Sequence, residues 1–520
     1  MREPRVLLVY PPNQLMDIET PRPDGSLGPL YLAGALREIG IEPDLVDMAV
    51  GTEEDTLEDT FFRRVMQPNG LTRIGMSWSR IRELFERGYY DILAINSNFT
   101  PQTNMAFKVA KIAKQVNPET LVISGGINAR HLASRFFATG NFDLICTTDG
   151  EKVIQEIATR FKNGQALAGI PGTIVSHDGK LYPTKAGPIL ENLDELPFPA
   201  YDLLPFTKYE KIASAHGVNI TGKLHRYAPI MTSRGCPFQC TYCHVSMGRF
   251  DRDPMAGNID NLRLKSVPRV LQEIEILRGL GVTKLFFEDD SLLAKKKRVA
   301  EIFRALRTMG LEIADVNGVN LVHLSKPGPG GKLVPDVEFM ELLHSSGFTQ
   351  IVFPVESGSQ RILKKYATDK LDHERLDVVE LVKDAVRIGI LCPVNMMIGF
   401  PHETEEEMMM SVNLAKRLID AGAPYVTPFI PIPFPGCKLH TDALHCREEG
   451  CVGWHIRPDY GTDTFNWKNG VMVNTTVPRE RIIEIRDKMW REVNPPEHVA
   501  QRLQDSIGAG RWTYNYDDEG

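Results

Sequence analysis

A chain of 520 residues has room for two or more domains with sizeable cores. Its 42% hydrophobic and 24% charged content is that of an ordinary globular protein, and a net charge of −7 gives no electrostatic reason to expect nucleic acid as a partner. Its 8 cysteines are too sparse for a disulfide framework. A short apolar run, Val6–Tyr10, precedes two prolines and predicts a buried strand rather than a signal peptide. No apolar stretch approaches the ~20 residues of a bilayer span. We expect a cytoplasmic chain with no membrane span.

The N-terminal part alternates short apolar runs with helical patterns. Strands are predicted at 5–10, 43–47, 91–96, 121–124 and 143–146, and helices at 30–39, 104–116 and 152–162. This alternation predicts an α/β, Rossmann-like doubly wound parallel sheet over 1–165. Ligands of such sheets sit outside the carboxyl ends of the strands. There the chain is polar and glycine-rich: Asn96-Ser97-Asn98, Ser124-Gly125-Gly126 and Asp149-Gly150-Glu151. No G-x-G-x-x-G follows the first strand, which disfavours a dinucleotide. Residues 166–225 read as a linker, with a small hairpin turning at Asp178-Gly179. Within it, 196–202 is a proline-rich crossing segment between domains.

Then comes Cys236-x3-Cys240-x2-Cys243, flanked by Gly235, Pro237, Phe238 and Tyr242. Three thiolates this close can hold three corners of one inorganic centre. A zinc site would need a fourth ligand, His244 or a distant residue, and usually comes as two separated pairs. A [4Fe–4S] cluster takes one thiolate per iron, so three would leave one iron open for a substrate or co-substrate.

Further βα units follow, and 226–430 reads as a partial parallel barrel. Its strand ends carry Glu288-Asp289-Asp290, Asn320, Glu356-Ser357-Gly358 and Gly399-Phe400-Pro401. One of the three adjacent carboxylates is expected to cap the following helix. Glu403, Glu405, Glu406 and Glu407 read as acids of a first helical turn, and Lys295–Arg298 as a solvated helix face. Residues 431–520 predict a mixed C-terminal cap with Trp454, Tyr460, Phe465, Trp467 and Trp512. Cys437, Cys446 and Cys451 are too irregularly spaced for an auxiliary cluster.

The cysteine spacing, with an aromatic residue just before the third cysteine, resembles the radical S-adenosylmethionine (SAM) superfamily. The resemblance implies a [4Fe–4S] cluster on Cys236, Cys240 and Cys243, with SAM chelating the open iron. It implies SAM contacts from Tyr242, Glu288, Asp289, Asn320, Glu356, Ser357, Gly399 and Pro401. The stretches Leu8-Val9-Tyr10-Pro11-Pro12 and Gly28-Pro29-Leu30-Tyr31-Leu32-Ala33-Gly34-Ala35-Leu36-Arg37, with Ser124-Gly125-Gly126 and Asp149-Gly150-Glu151, resemble the cobalamin-binding domain fused ahead of such barrels. The residues implied for cobalamin are Ser97, Asn98, Ser124, Gly125, Gly126, Asp149, Gly150 and Glu151. The D-x-H-x-x-G motif that ligates cobalt in many such domains is absent. His131, the one histidine before residue 166, reads as a loop or helix-start residue. A corrinoid bound without a histidine below the cobalt is implied.

An enzyme of this architecture is expected to methylate an unactivated carbon, or phosphorus, of a small-molecule substrate. It does so through a 5'-deoxyadenosyl radical and methylcobalamin, with electrons from a flavodoxin or ferredoxin. No catalytic acid or base is assigned. Oxidative cyclisation or ring rearrangement is the alternative reaction, and a non-catalytic corrinoid or Fe–S sensor the alternative class.

Overall fold

A computed structural model describes residues 2–16, 27–212, 223–246, 259, 261–368, 370–448, 453–457, 461, 470–473, 475–497, 499–501, 511 and 513–515. The chain forms two compact units. One is built from Met1–Pro229 with Arg252–Ile259 and Arg502–Gly520, the other from Ile230–Asp251 with Asp260–Gln501.

The first unit is organised on β1 (Val6–Tyr10), β2 (Asp44–Asp47), β3 (Ile92–Asn96), β4 (Leu121–Gly125), β5 (Leu144–Cys146), β6 (Thr173–His177) and β7 (Lys180–Pro183), in the order β7-β6-β5-β4-β3-β1-β2. Strands β1 to β5 pair in parallel. Successive side chains of β1 enter opposite cores. Leu7 and Val9 pack with α2 (Trp78–Gly88) and α3 (Thr103–Val116) through Ile81, Phe85, Val109 and Ile112. Val6 and Leu8 pack with α1 (Leu27–Glu38) and α5 (Glu151–Lys162) through Leu36, Ile154 and Ile157. A sheet covered on both faces needs near-continuous apolar strands, which is what the sequence has there.

The hairpin expected in a linker is instead the edge of this sheet. Strand β6 runs antiparallel to β5, with Leu144 opposite Val175, and Ile174 enters the core. Asp178 and Gly179, at φ 50° and 71°, make its turn. The proline-rich segment lies along α1: Ala200 N–H donates to Leu30 O at 3.1 Å, and Arg37 pairs with Asp202 at 2.7 Å. Gly34 permits this contact, since a Cβ there would stand 2.2 Å from Phe198 O. Farther on, Tyr209 Oη donates to buried Asp47 at 2.6 Å. Residues 513–515, expected in the cap, pair in parallel with Arg63–Met66 of a second small sheet in this unit. The Arg511 guanidinium, 3.8 Å from the Phe62 ring centre, anchors that tail.

The second unit contains β8 (Lys284–Phe287), β9 (Glu312–Asp315), β10 (Phe348–Gln350), β11 (Phe353–Glu356), β12 (Val394–Met397) and β13 (Val426–Phe429). Pairing is parallel within β8-β9-β10 and within β11-β12-β13. Helices α6 (Val267–Gly279), α7 (Lys296–Leu306), α8 (Val337–Ser345), α9 (Gln360–Tyr366), α10 (Val378–Ile388) and α11 (Glu405–Asp420) alternate with them. Helix α10 starts later than the apolar pattern suggests, because the Asp377 side chain caps it. Phe287, Phe303 and Phe348 stack at the centre, 5.2–6.2 Å apart. Beyond the βα units, α12 (Lys438–Glu448) and α13 (Arg479–Val493) belong to the same unit. Asn494 exchanges hydrogen bonds with the Val426 backbone at 2.6 and 3.1 Å, tying α13 to β13.

Burial pushes the Asp47 carboxyl up to about 6, against the pull of its Tyr209 bond. A carboxyl raised on folding stabilises the fold below its unfolded value, and that contribution fades as pH climbs through the folded one. The melting temperature of Asp47→Asn relative to wild type is therefore expected to rise between about pH 4 and pH 6, then level off. A difference that stays flat across that window would contradict this account.

Candidate active site

The cysteine loop turns on itself, Cys243 N–H donating to Cys240 O at 3.2 Å, and is also held from outside. Ser233–Arg234 pairs with Arg263–Leu264, and Gln239–Cys240 pairs with Ala367–Thr368, both antiparallel. Thr241 N–H donates to Tyr366 O, and Leu439 N–H donates to Thr241 O, each at 2.8 Å. Cys236, Cys240 and Cys243 are free thiols, with Cys240 buried. Burial raises all three, while the Lys370 ammonium pulls Cys236 and Cys240 back down. Desolvated thiols of this kind ionise when a metal takes the thiolate. Among the described residues no three or more His, Cys, Asp or Glu side chains close around a single ion, as a zinc site would require. A cubane asks only that each thiolate reach its own iron.

The three carboxylates after β8 serve this loop. Asp289, 1% exposed, accepts from Thr232 N–H at 3.0 Å, Thr232 Oγ1 at 2.7 Å and Ser233 Oγ at 2.5 Å. Asp290 accepts from Gly235 N–H at 3.0 Å, beside Cys236. Gly235 has φ 80°, a conformation that favours glycine. None of the three caps the next helix, contrary to expectation, because Asp289 and Asp290 reach back across the strand ends. The Lys295–Arg298 run is solvated only at Lys295 and Lys297. Lys296 pairs with Asp336 at 2.6 Å, and Arg298 donates to Thr232 O at 2.9 Å and Lys265 O at 2.8 Å. Glu288 is half-buried, and its N–H donates to Ile230 O at 2.9 Å.

Asn320 does not end a strand. It caps the short turn Leu321–Leu324, its Oδ1 accepting from Val322 N–H at 3.0 Å. That turn brings His323 against Phe238 of the cysteine loop, with ring centres 5.6 Å apart. Burial lowers His323 to about 4, so it is neutral at pH 7. Asn320 Nδ2 and His323 Nε2 are buried without hydrogen-bond partners among the described residues, and they suit a polar ligand such as SAM. Glu356 ends β11 with φ 68°, a left-handed conformation costing about 1–3 kcal/mol for a non-glycine residue. It pairs with Lys370. The Ser357 hydroxyl is buried, accepting from Ser359 N–H at 3.1 Å and 3.4 Å from Ser411 Oγ.

Tyr242, Phe400 and Tyr366 form an aromatic stack beside the loop, with centres 5.8 and 4.5 Å apart. Gly399 and Pro401 flank Phe400, and both are buried. Glu403 is not a first-turn acid. It precedes the Thr404 cap of α11, and its Oε2 accepts from Gly399 N–H at 2.6 Å and Phe400 N–H at 3.0 Å. Glu405, Glu406 and Glu407 do occupy the first turn. Cys437 is buried among apolar residues with Trp454. Cys451, Tyr460, Phe465, Trp467, Trp512 and the Cys446 side chain lie outside the described residues.

In the first unit the expected residues gather at the carboxyl ends of β3, β4 and β5. Ser97 accepts from Asn128 Nδ2 at 2.9 Å, and Ser124 Oγ donates to Ile95 O at 2.9 Å. Gly125 ends β4, opposite Asn96. A Cβ on Gly126 would stand 2.4 Å from Asn98 Oδ1 and 2.5 Å from Ser97 O, and one on Gly150 2.8 Å from Leu32 Cδ2. Asp149 and Gly150 are half-buried ahead of α5, which begins at the buried Glu151. Asn96 Oδ1, Asn128 Oδ1 and Thr148 Oγ1 are buried with no hydrogen-bond partner, and they suit a large polar ligand such as a corrinoid. His131 is the last residue of α4 (Ile127–His131), not a helix start, and its Nε2 accepts from Arg130 Nε at 3.1 Å. Asn128, Thr148, His323 and Lys370 escaped the sequence reading, in which Glu403 stands only as a helix acid. Only Asn128 and Thr148, each within two residues of a glycine at a strand end, carried a local signal.

Burial pushes Glu403 up to about 8, so it is mostly neutral at pH 7. Glu403→Gln, neutral and isosteric, is expected to keep the wild-type melting temperature at pH 7. Glu403→Ala leaves two buried N–H groups unpaired and is expected to lose about 1–3 kcal/mol. Equal losses in the two variants would show that the carboxyl is ionised.

Residues 230–415 match the radical SAM superfamily. The chain is 29% identical over 453 residues to an uncharacterized methyltransferase of Pyrococcus horikoshii, covering 85% of this chain and 84% of that one. It is 26% identical over an alignment of 540 residues to cytidylyl-2-hydroxyethylphosphonate methyltransferase of Streptomyces wedmorensis, covering 98% and 94%. Among solved structures it resembles the cobalamin-dependent S-adenosylmethionine radical enzyme OxsB, determined with aqua-cobalamin bound. That match has a TM-score of 0.66 at 16% identity, over 94% of this chain and 67% of that one. The three-cysteine loop, its parallel βα surroundings and the superfamily match identify residues 230–415 as a radical SAM domain, in a chain that shares the fold of a cobalamin-dependent radical enzyme.

Proposed function

We propose that this protein is a cobalamin-dependent radical SAM methyltransferase that methylates an unactivated carbon, or phosphorus, of a small molecule. The observation that carries this reading is the loop of three free thiols on a radical SAM domain, in a chain whose full-length relatives are methyltransferases. Cys236, Cys240 and Cys243 hold the cluster and leave one iron for SAM. The chemistry itself would belong to the cofactors: a bound cluster would supply the electron for SAM cleavage, and a bound corrinoid would supply the methyl group.

The chain's own residues position and enclose. Asp289 and Asp290 fix the backbone leading into Cys236. Glu288, Asn320 and Glu356 offer polar atoms to SAM near the loop, and Tyr242, Gly399 and Pro401 form an apolar wall beside it. Ser97, Asn98, Ser124, Gly125, Gly126, Asp149, Gly150 and Glu151 form the corrinoid cradle, within a cobalamin-binding domain at 1–165. Arg130 donates to His131 Nε2 and occupies that ring nitrogen, in keeping with a corrinoid that has no histidine below the cobalt. A phosphonate methyltransferase among the relatives supports a phosphonate or similar small molecule as the substrate class. A flavodoxin or ferredoxin supplies the electron. The cytoplasm is the compartment, since the cluster needs reducing conditions, and no described helix is long and apolar enough to cross a membrane.

The protein reconstituted with iron, sulfide and cobalamin is expected to absorb near ~400 nm and to cleave SAM, and Cys240→Ala to do neither. Methyl transfer is expected to yield S-adenosylhomocysteine and 5'-deoxyadenosine together. Deoxyadenosine alone would point to cyclisation, and a fully loaded Cys240→Ala cluster would remove the loop from the site.

A further inference from the structure

The Lys370 ammonium acts on both Cys236 and Cys240, and nothing in the proposed machinery uses it. Its place is set by backbone. Cys240 lies directly opposite Ala367 in the two-residue ladder, and Lys370 N–H donates to Ala367 O at 3.0 Å, which turns the chain back toward the loop. The side chain is 18% exposed and pairs with Glu356, 7% exposed. A buried ammonium is costly unless paired, and here its partner sits on strained backbone at the end of β11. The fold thus holds a charged lysine beside three thiols. The ammonium acts on Cys240 more strongly than the Glu356 carboxylate does, and it also reaches Cys243. Asp290 is the opposing charge near Cys236 and Cys243.

Resting on the cluster assignment above, we infer that the Lys370 ammonium, held against the cysteine loop by Glu356, sets the reduction potential of the cluster and makes it easier to reduce. Three thiolates give an oxidised cluster a net negative charge, and reduction adds one electron. A nearby fixed cation in a low-dielectric site stabilises the more negative state. The step moves one electron from an external low-potential donor to the cluster, and no bond or proton changes place. Lys370 is a positioning charge rather than a catalytic residue.

The test is a redox titration, followed by electron paramagnetic resonance, of the anaerobically reconstituted full-length protein without SAM, using dithionite as the reductant. Wild type, Lys370→Arg, Lys370→Met and Lys370→Gln are compared at matched iron and sulfide content. At a fixed potential, the two neutral variants are expected to show about a tenfold lower ratio of reduced to oxidised cluster, a midpoint about 59 mV more negative. Lys370→Arg is expected to stay close to wild type. Neutral variants with the wild-type midpoint would overturn the inference, and weaker SAM binding in those variants would then assign Lys370 to the SAM carboxylate. Loss of the cluster from both neutral variants, but not from Lys370→Arg, would also overturn it, making the charge a requirement for assembly. Failure of wild type to load a cluster would instead remove the function proposed above.

Discussion

Three thiols on one short loop must be kept at fixed separations, and that requirement organises the second unit. Two short ladders hold the loop at Ser233–Arg234 and Gln239–Cys240, and the irregular backbone around them must find partners elsewhere for its polar groups. Here they do so at the ends of neighbouring strands. The Asp289 carboxylate holds Thr232 and Ser233, Asp290 holds Gly235, and the Tyr366 and Leu439 backbones clasp Thr241 from two sides. Beneath them, the Arg298 guanidinium ties the Thr232 carbonyl to the Lys265 carbonyl, and buried Lys265 pairs with Glu273 at 2.5 Å. The parallel strands act as a rigid frame, and their carboxyl ends supply the struts.

The first unit meets a different constraint with the same geometry. Small residues and inward-turned polar groups keep side chains out of the carboxyl ends of its strands. Ser97 is engaged by Asn128, Ser124 turns back to Ile95, and the Gly126 backbone passes where a side chain would collide with Asn98 and Ser97. The cradle keeps polar atoms facing inward, and Asn96, Asn128 and Thr148 have acceptors that the protein itself does not satisfy.

Much of this was legible in the sequence. The near-continuous apolar runs of β1, β3 and β4 predict a sheet buried on both faces, and the cysteine spacing predicts an incomplete metal set. What was not legible is long-range pairing. The carboxylates after β8 look like helix-cap residues because local spacing cannot show that Thr232, 57 positions earlier, lies within reach of Asp289. The hairpin at 173–183 looks like a linker until its first strand is set beside β5. Asn320 looks like a strand-end ligand, yet its Oδ1 closes a turn and only its Nδ2 remains open. Lys370 follows a helix and a two-residue strand, and no periodicity marks it. Glu403 sits among three true first-turn acids and differs from them only in where the backbone turns.

The clasp on Thr241 has an evolutionary corollary. One of its two arms is Leu439, in the first turn of α12, well beyond the last βα unit. The region after β13 is therefore mechanically part of the cysteine loop, not an appendage that can be exchanged freely. A lineage acquiring new specificity through this region would have to preserve the backbone around Leu439, or rebuild the loop along with it. Domain shuffling at residue 430 would separate the two, so diversification here is confined to substitution and loop insertion farther along the chain.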